Sequence, residues 1–172
     1  MRLLLPLAVV VAALVPAVVF AADAPRVASA DRLESAVLDE LNLVRLEHGL
    51  RQLQLSPSLT EAADNHSREM VTSGYFGHES SDGSHFARRI KGFYKPRAVN
   101  RKWTVGENLI WRTDRLTARA AVTAWLARLG HRENLLGAAF REVGIAAVRA
   151  VGAPGVFGGR SIVVLTVDFG AR

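Results

Sequence analysis

The chain has 172 residues, a formal net charge of +6 and hydrophobic side chains at 49% of its positions. This length and apolar content suit one folded domain with its own core. Cysteine is absent, which excludes a disulfide-stapled extracellular module. The basic charge favours weak, unspecific contact with anionic polymers or lipid headgroups.

The N-terminal segment has the pattern of a secretory signal peptide. Arg2 precedes an apolar run that ends at Phe20, and the small residues Ala21 and Ala22 follow it. We predict a signal peptide over residues 1–22, and hence a secreted protein or one associated with the cell envelope. An uncleaved membrane anchor is the alternative, since the run nears the lower length limit for a bilayer span.

Residues 23–30 are predicted to form a short linker, and residues 31–172 the folded domain. A first helix follows Asp31 and ends at Gly49, with apolar side chains at helical spacing: Leu33, Val37, Leu41 and Val44. A second helix opens at Pro57 and closes at Gly74.

The second half of the domain changes from helical to strand-like patterns. A shorter helix has one apolar side, made of Phe86, Ile90 and Phe93. Residues 94–105 are predicted to be a loop, and a last long helix runs from Thr117 to Gly130. Residues 142–148 and 161–168 are rich in β-branched side chains, which predicts two strands. Helices followed by strands predict an α+β domain in which helices cover a small antiparallel sheet.

Three short motifs contain the residues best suited to chemistry. They are Phe76-Gly77-His78, Gly106-Glu107-Asn108 and the stretch from Gly130 to Asn134. Each places a histidine or a glutamate beside a glycine or an asparagine, residue types that shape loops and turns. Brought together by folding, such groups can bind a metal or transfer a proton.

These motifs belong to a longer ordered series that resembles the CAP superfamily, also called SCP-like, over residues 33–169. The series is Asn42-x-x-Arg45, Gly49-Leu50-x-x-Leu53, Leu59-x-x-x-Ala63-x-x-His66-Ser67, Phe76-x-His78, Asp82-Gly83, Gly106-Glu107-Asn108, Trp125, Gly130-His131-Arg132-x-Asn134 and Gly144. The family includes cysteine-rich secretory proteins, plant pathogenesis-related proteins and exported bacterial relatives. The resemblance implies an α-β-α sandwich with a central cavity that holds two histidines and two acidic residues.

Carried over to this chain, the resemblance makes His78, Glu107 and His131 three members of that cavity. The position of the second acid is Arg128, three residues after Trp125, which departs from the family pattern. Glu133 is a weaker candidate for the missing acid. His78, His131 and Glu107 could hold a divalent metal such as zinc with an open fourth position. The same groups could instead form a hydrogen-bonded network without a ligand.

The remaining histidines and the serines suggest no second site. His66 lies on the apolar face of the second helix, where a packed histidine with one ring nitrogen bonded to the backbone is expected. His48 and His85 are expected to be exposed or capping. The chain has no cysteine and no Gly-x-Ser-x-Gly motif, which disfavours covalent catalysis.

A basic stretch between Arg88 and Trp103 contains no acidic residue and includes Phe93 and Tyr94. It could bind an anionic envelope polymer or lipid surface by charge and stacking. An ordinary solvated loop with inward-packed aromatics is the alternative. The basic residues are Arg88, Arg89, Lys91, Lys95, Arg97, Arg101 and Lys102.

The leading functional hypothesis is an exported binding module for lipid, small hydrophobic or cell-envelope ligands. We expect it to be a monomer without a specific nucleic-acid partner. One alternative is a metal-assisted or acid–base hydrolase acting on peptide or wall material. The other is a structural or adhesive envelope protein whose cavity performs no chemistry.

Overall fold

A computed structural model describes residues 24–98, 102–113 and 115–172. The predicted signal peptide therefore lies outside the described residues. The strands are β1 (Arg26–Ser29), β2 (Gln54–Leu55), β3 (Thr104–Arg112), β4 (Glu142–Ala153) and β5 (Arg160–Ala171). The helices are α1 (Asp31–Glu47), α2 (Pro57–Ser73), α3 (Phe86–Phe93), α4 (Ala118–Leu126) and α5 (Leu129–Leu135), and a 3-10 turn covers Gly155–Phe157. Within the described ranges, none of the helices has the length and apolar character needed to cross a bilayer.

The sheet has the strand order β1-β4-β5-β3, and its members pair antiparallel. The short β2 adds a parallel pairing to β4. The long strands β4 and β5 pair at the centre, and β3 forms one edge. Two helices, α3 and α5, contact this edge strand.

Helices cover both faces of the sheet. On one face, α1 and α4 pack against alternate residues of β5, with Leu41, Trp125 and Leu165 in one apolar cluster. On the other face, α2 packs against β4 and β5, with Met70 and Val164 in a second cluster. Side chains of β5 alternate between these clusters as the period of a strand requires. The predicted α-β-α sandwich of the α+β class is confirmed.

Gly144 allows α2 to lie directly on the sheet. A Cβ atom at this position would stand 2.0 Å from the backbone carbonyl carbon of Leu59, in the first turn of α2. Only a glycine can accept so close a backbone approach. The contact fixes the start of α2, and thereby the direction from which the following loop leaves its end at Gly74.

Three local predictions need correction. Residues 23–30 are not only a linker, because Arg26–Ser29 pair with β4 as a strand. The predicted loop over 94–105 is shorter than expected, since β3 begins at Thr104 and pairs along its length with β5. The last long helix is interrupted: α4 ends at Leu126, and Gly130 lies inside the separate helix α5.

Candidate functional site

His78 lies on the loop that follows α2, and hydrogen bonds with two residues of α2, His66 and Glu69, hold this loop. The ring Nε2 of His66 donates to the Gly77 carbonyl at 2.9 Å. One carboxylate oxygen of Glu69 accepts from the Ser81 backbone N–H at 2.9 Å and from its hydroxyl at 2.6 Å. Burial alone would raise the pKa of Glu69, but the hydrogen bonds from Ser81 lower it to about 2. Glu69 therefore stays ionised and holds the loop at neutral pH.

Glu107 is the buried centre of the site. Its Oε1 accepts from His78 Nδ1 at 2.7 Å, and its Oε2 accepts from the Arg89 guanidinium. Arg89 also donates to the carbonyl oxygen of His78 at 3.0 Å and to the Ser80 hydroxyl at 3.2 Å. The hydrogen bond to Glu107 is the main cause that raises the pKa of His78. Both carboxylate oxygens are thus engaged in holding His78 and its loop.

Asp168 is the acidic neighbour of Glu107 that sequence reasoning missed. It pairs with Glu107 across β3 and β5, and its carboxyl is completely buried. Within the described part of the chain, no N–H or hydroxyl group donates to its oxygens, and its polar neighbour is the carboxylate of Glu107. Burial raises the pKa of Asp168 well above its usual value, and the charge of Glu107 adds to this shift. Its buried position therefore favours the neutral form of Asp168 over the charged form.

His131 reaches the same region from α5, on the other side of the edge strand. Its backbone carbonyl accepts from Asn108 Nδ2 at 3.0 Å. Asn134 Nδ2 donates to the Glu107 carbonyl at 3.1 Å and to Asn108 Oδ1 at 2.9 Å. Gly106 leaves room for this amide, since a Cβ there would stand 2.5 Å from the Asn134 oxygen. Asparagines thus join α5 to β3 and fix the position of His131.

The two histidines converge at the mouth of a cleft. Their ring centroids are 6.5 Å apart. Burial lowers the pKa of His131, and the nearby charges of His78 and Arg128 lower it further. The cleft has a volume of about 530 Å³ and is lined by Phe76, Gly77, His78, Leu109, Ile110, Trp111, Arg112, Ala124, Trp125, Arg128 and His131. All three sequence motifs therefore meet at the β3 edge, with Glu107 behind the cleft rather than in its wall.

Comparisons with known proteins identify the family of this chain. The model of the CAP family, described as "Cysteine-rich secretory protein family", matches residues 38–167. The chain belongs to the CAP family.

Three proteins similar to this chain come from bacteria. An uncharacterized membrane protein of Bacillus subtilis, YlbC, is 32% identical over 113 residues, which are 65% of this chain and 30% of that protein. An extracellular SCP-domain protein of Bacillus anthracis superposes with a TM-score of 0.64 at 24% identity, covering 83% of this chain and 41% of the other. An outer surface protein of Borrelia burgdorferi gives a TM-score of 0.70 at 18% identity, covering 86% and 98%. This CAP chain thus spans less than half the length of the two Bacillus proteins.

The weaker acidic candidate lies away from the CAP cavity. Glu133 is exposed on α5, in a separate surface pocket with Leu129, Arg132 and Leu136. The position that the family resemblance assigns to the second acid holds Arg128, whose side chain lines the cleft. The buried acid near Glu107 is instead Asp168, supplied by the central strand β5.

The described residues do not fit a complete protein ligand set for a metal. Among them, no group of three or more histidine, cysteine, aspartate or glutamate side chains is placed to hold an ion. Glu107, the predicted third ligand, is already bonded to Arg89 and His78. Zinc sites are built from three or four such ligands. His78 and His131 remain as a pair of imidazoles beside the cationic Arg128.

The basic stretch of this CAP domain divides into two parts. Arg89 is buried against Glu107, which corrects its assignment to an anion-binding loop. Tyr94 is also buried, and the indole N–H of Trp103 donates to the Tyr94 carbonyl at 2.9 Å, so the aromatic side chains pack inward. Arg101 lies outside the described residues. The exposed basic residues are Arg88, Lys91, Lys95, Arg97 and Lys102, of which Arg97 stands 4.0 Å from Glu142.

His66 matches the expectation of a packed histidine, because it is fully buried and bonded to a backbone carbonyl. His48 Nδ1 bonds to the Val44 carbonyl at 2.8 Å at the end of α1. His85 Nδ1 accepts from the Ala87 N–H at 3.3 Å and caps α3. None of these three histidines is among the residues that line the cleft.

Proposed function

We propose that this CAP domain is an extracellular ligand-binding module, whose cleft takes up a lipid, a small hydrophobic molecule or a cell-envelope component. The observation that carries this proposal is the cleft at the β3 edge. Its volume of about 530 Å³ lies in the range of small-molecule sites. Phe76 and Trp111 meet edge to face with ring centroids 6.5 Å apart, and they give the cleft an aromatic wall.

The polar residues behind the cleft act as its support in this proposal. Glu107 uses both carboxylate oxygens to hold Arg89 and His78. Asparagine amides fix α5 in the same way. A site whose walls are held by buried hydrogen bonds binds a ligand without losing much conformational freedom. An extracellular location agrees with the names of the relatives, which are membrane, extracellular and outer-surface proteins.

Extraction and mass spectrometry of the purified protein test this function. Ala124 lines the cleft and Thr123, next to it on α4, is exposed. We expect wild type and Thr123→Trp to carry or take up the same apolar molecule from a lipid extract, and Ala124→Trp to lose it, because the indole fills the cleft. Equal uptake by both tryptophan variants, or no uptake by wild type, would contradict the proposal.

A second candidate is an acid–base hydrolase that uses His78. The His78 Nδ1–Glu107 hydrogen bond of 2.7 Å is the observation that favours it, since an imidazole oriented through one ring nitrogen can activate a water molecule with the other. His78 is also partly open to solvent, with 44% of its side chain exposed. Turnover of peptide or wall fragments that disappears in His78→Gln would support this candidate. Lipid uptake that survives in the same variant would assign binding and chemistry to different groups.

A cell-envelope partner remains part of the proposal for the exposed basic residues. Lys91, Lys95 and Lys102 are exposed near one another in the sequence. Contacts of exposed lysines with anionic lipid or polymer are screened by salt. We expect binding to anionic vesicles at low salt that weakens when these three lysines become glutamine. Vesicle binding that is unchanged by salt and by the substitutions would contradict the proposed envelope contact of these lysines.

A further inference from the structure

The polar side chains that line the cleft are cationic or can become so. Arg112 and Arg128 contribute permanent charges, and His78 and His131 contribute imidazoles. Among the described residues, the lining of this cleft contains no aspartate or glutamate. One sign of charge in a concave surface concentrates ions of the opposite sign.

The acids behind the cleft do not cancel this charge. Glu107 is buried and paired with Arg89, so the negative and positive charges of this pair largely cancel each other. Asp168 is completely buried and is not among the residues that line the cleft, and burial raises its pKa, which disfavours its charged form. Arg112 and Arg128 are both exposed and, among the described residues, form no ion pair. Among the described residues, the side chains that line the cleft therefore carry positive formal charge and no negative charge.

His131 lines the same cleft, and one of its ring nitrogens is buried. Its Nδ1 is buried and has no hydrogen-bond partner among the described residues. Burial lowers the pKa of His131, and the nearby charges of His78 and Arg128 lower it further. An anion between them would relieve this repulsion, because a nearby opposite charge favours the charged form of an imidazole.

The rest of the lining is apolar and aromatic. Phe76, Ile110, Trp111 and Ala124 form this part of the wall. Aromatic side chains bind the flat or aliphatic part of a ligand by burying its surface and by edge or stacking contacts. The cleft thus combines a cationic end with an apolar wall in one volume.

We propose that the cleft binds a small molecule in which a carboxylate or phosphate group is attached to an apolar or aromatic group. The anionic group contacts Arg128, with Arg112, His78 and His131 around it. The apolar group lies against Phe76 and Trp111. This ligand class rests on the proposed binding function and narrows it, since a neutral lipid or sterol would not use the arginines.

Calorimetric titration of the protein with matched probes tests the ligand class. The probes are 1-naphthyl phosphate, 1-naphthoate, neutral 1-naphthol and inorganic phosphate. We expect the two anionic naphthalenes to bind more tightly than naphthol by about tenfold, the size of one charge-assisted hydrogen bond. Whichever of the two binds more tightly identifies the preferred anion. Inorganic phosphate, which lacks the apolar part, is expected to bind more weakly than naphthyl phosphate.

Arg128→Gln and Arg132→Gln form the matched pair of variants. Both arginines are exposed, but only Arg128 lines the cleft, whereas Arg132 lies in a separate pocket. Arg128→Gln should lose about tenfold for the anionic probes and less than about twofold for naphthol. Arg132→Gln should bind every probe as wild type does.

The outcomes separate the ligand class from the binding function. If naphthol binds as tightly as the anionic probes and Arg128→Gln changes nothing, the anionic class is overturned and the apolar binding function stands. If inorganic phosphate binds as tightly as naphthyl phosphate, the apolar part of the class is overturned. If none of the probes binds to wild type and the protein also takes up no lipid, both proposals are overturned.

Discussion

Removing the charge of Arg89 should destabilise the domain strongly. In Arg89→Met the buried carboxylate of Glu107 loses its cationic partner, while the methionine keeps most of the volume of the side chain. Breaking a buried ion pair by removing one partner costs about 3–5 kcal/mol, because the other charge stays buried without compensation. The loss of the hydrogen bonds from Arg89 to the His78 carbonyl and to Ser80 acts in the same direction. We therefore expect the free energy of unfolding to fall by about 3–5 kcal/mol.

Urea unfolding followed by tryptophan fluorescence measures this change, and two further variants isolate its cause. Arg88→Met on the same helix is exposed and should change stability by less than about 0.5 kcal/mol. Glu107→Gln removes the buried charge, so the double variant Arg89→Met/Glu107→Gln should lose about 1–3 kcal/mol less than the sum of the two single variants. An Arg89→Met protein as stable as Arg88→Met, or strictly additive variants, would refute the role of the pair.

Three further predictions concern the neighbours of this pair. Because the pKa of Asp168 is raised in the folded state, this residue lowers stability as pH rises from the unfolded pKa near 3.8 towards the raised folded pKa. Urea midpoints should therefore show that Asp168→Asn gains stability relative to wild type between pH 4 and pH 7. A stability difference that does not change with pH would argue against the raised pKa. In NMR titrations His78 should titrate above 6.5 and His131 below 6.5. The stabilisation from His78 should be present below pH 6.5 and lost as pH rises through its raised pKa. The reverse order of the two pKa values would contradict the site geometry. Gly144→Ala should lower the free energy of unfolding by at least about 2 kcal/mol, because the added methyl group collides with α2. Gly130 in α5 has open space around it, so Gly130→Ala should raise the free energy of unfolding by about 0.5–1 kcal/mol. Similar thermal midpoints for the two variants would show that the close approach at Gly144 is not required.

The helices were predictable because each has a single buried face. Leu33, Val37 and Leu41 are buried at helical spacing in α1, and the closing glycine of α2, Gly74, has a φ of 73°. Strand β3 was harder to predict. Glu107 and Asn108 lie at its centre and make hydrogen bonds on opposite faces of the sheet. The strand therefore lacks the alternation of apolar and polar residues by which strands are recognised.

Part of the site was predictable from motifs, and part depended on tertiary contacts. The motifs contain His78 and His131, which line the cleft, and Glu107, which lies behind it and bonds to His78. Arg89 was grouped with its exposed neighbours, since a run of basic residues gives no sign that one member turns inward. Asp168 had a usable signal: Thr166 and Asp168 are polar at alternate positions of an otherwise apolar strand, which places both on one face.

The position of a bound ligand tests the account most directly. The measurement is intermolecular NOEs between 1-naphthyl phosphate and the labelled protein. We predict NOEs from the naphthalene protons to the rings of Phe76 and Trp111 and to the methyl group of Ala124, all of which line the cleft. NOEs confined to another surface, such as the groove of Leu38 and Leu55 between α1 and α2, would contradict the assignment of the β3-edge cleft as the binding site.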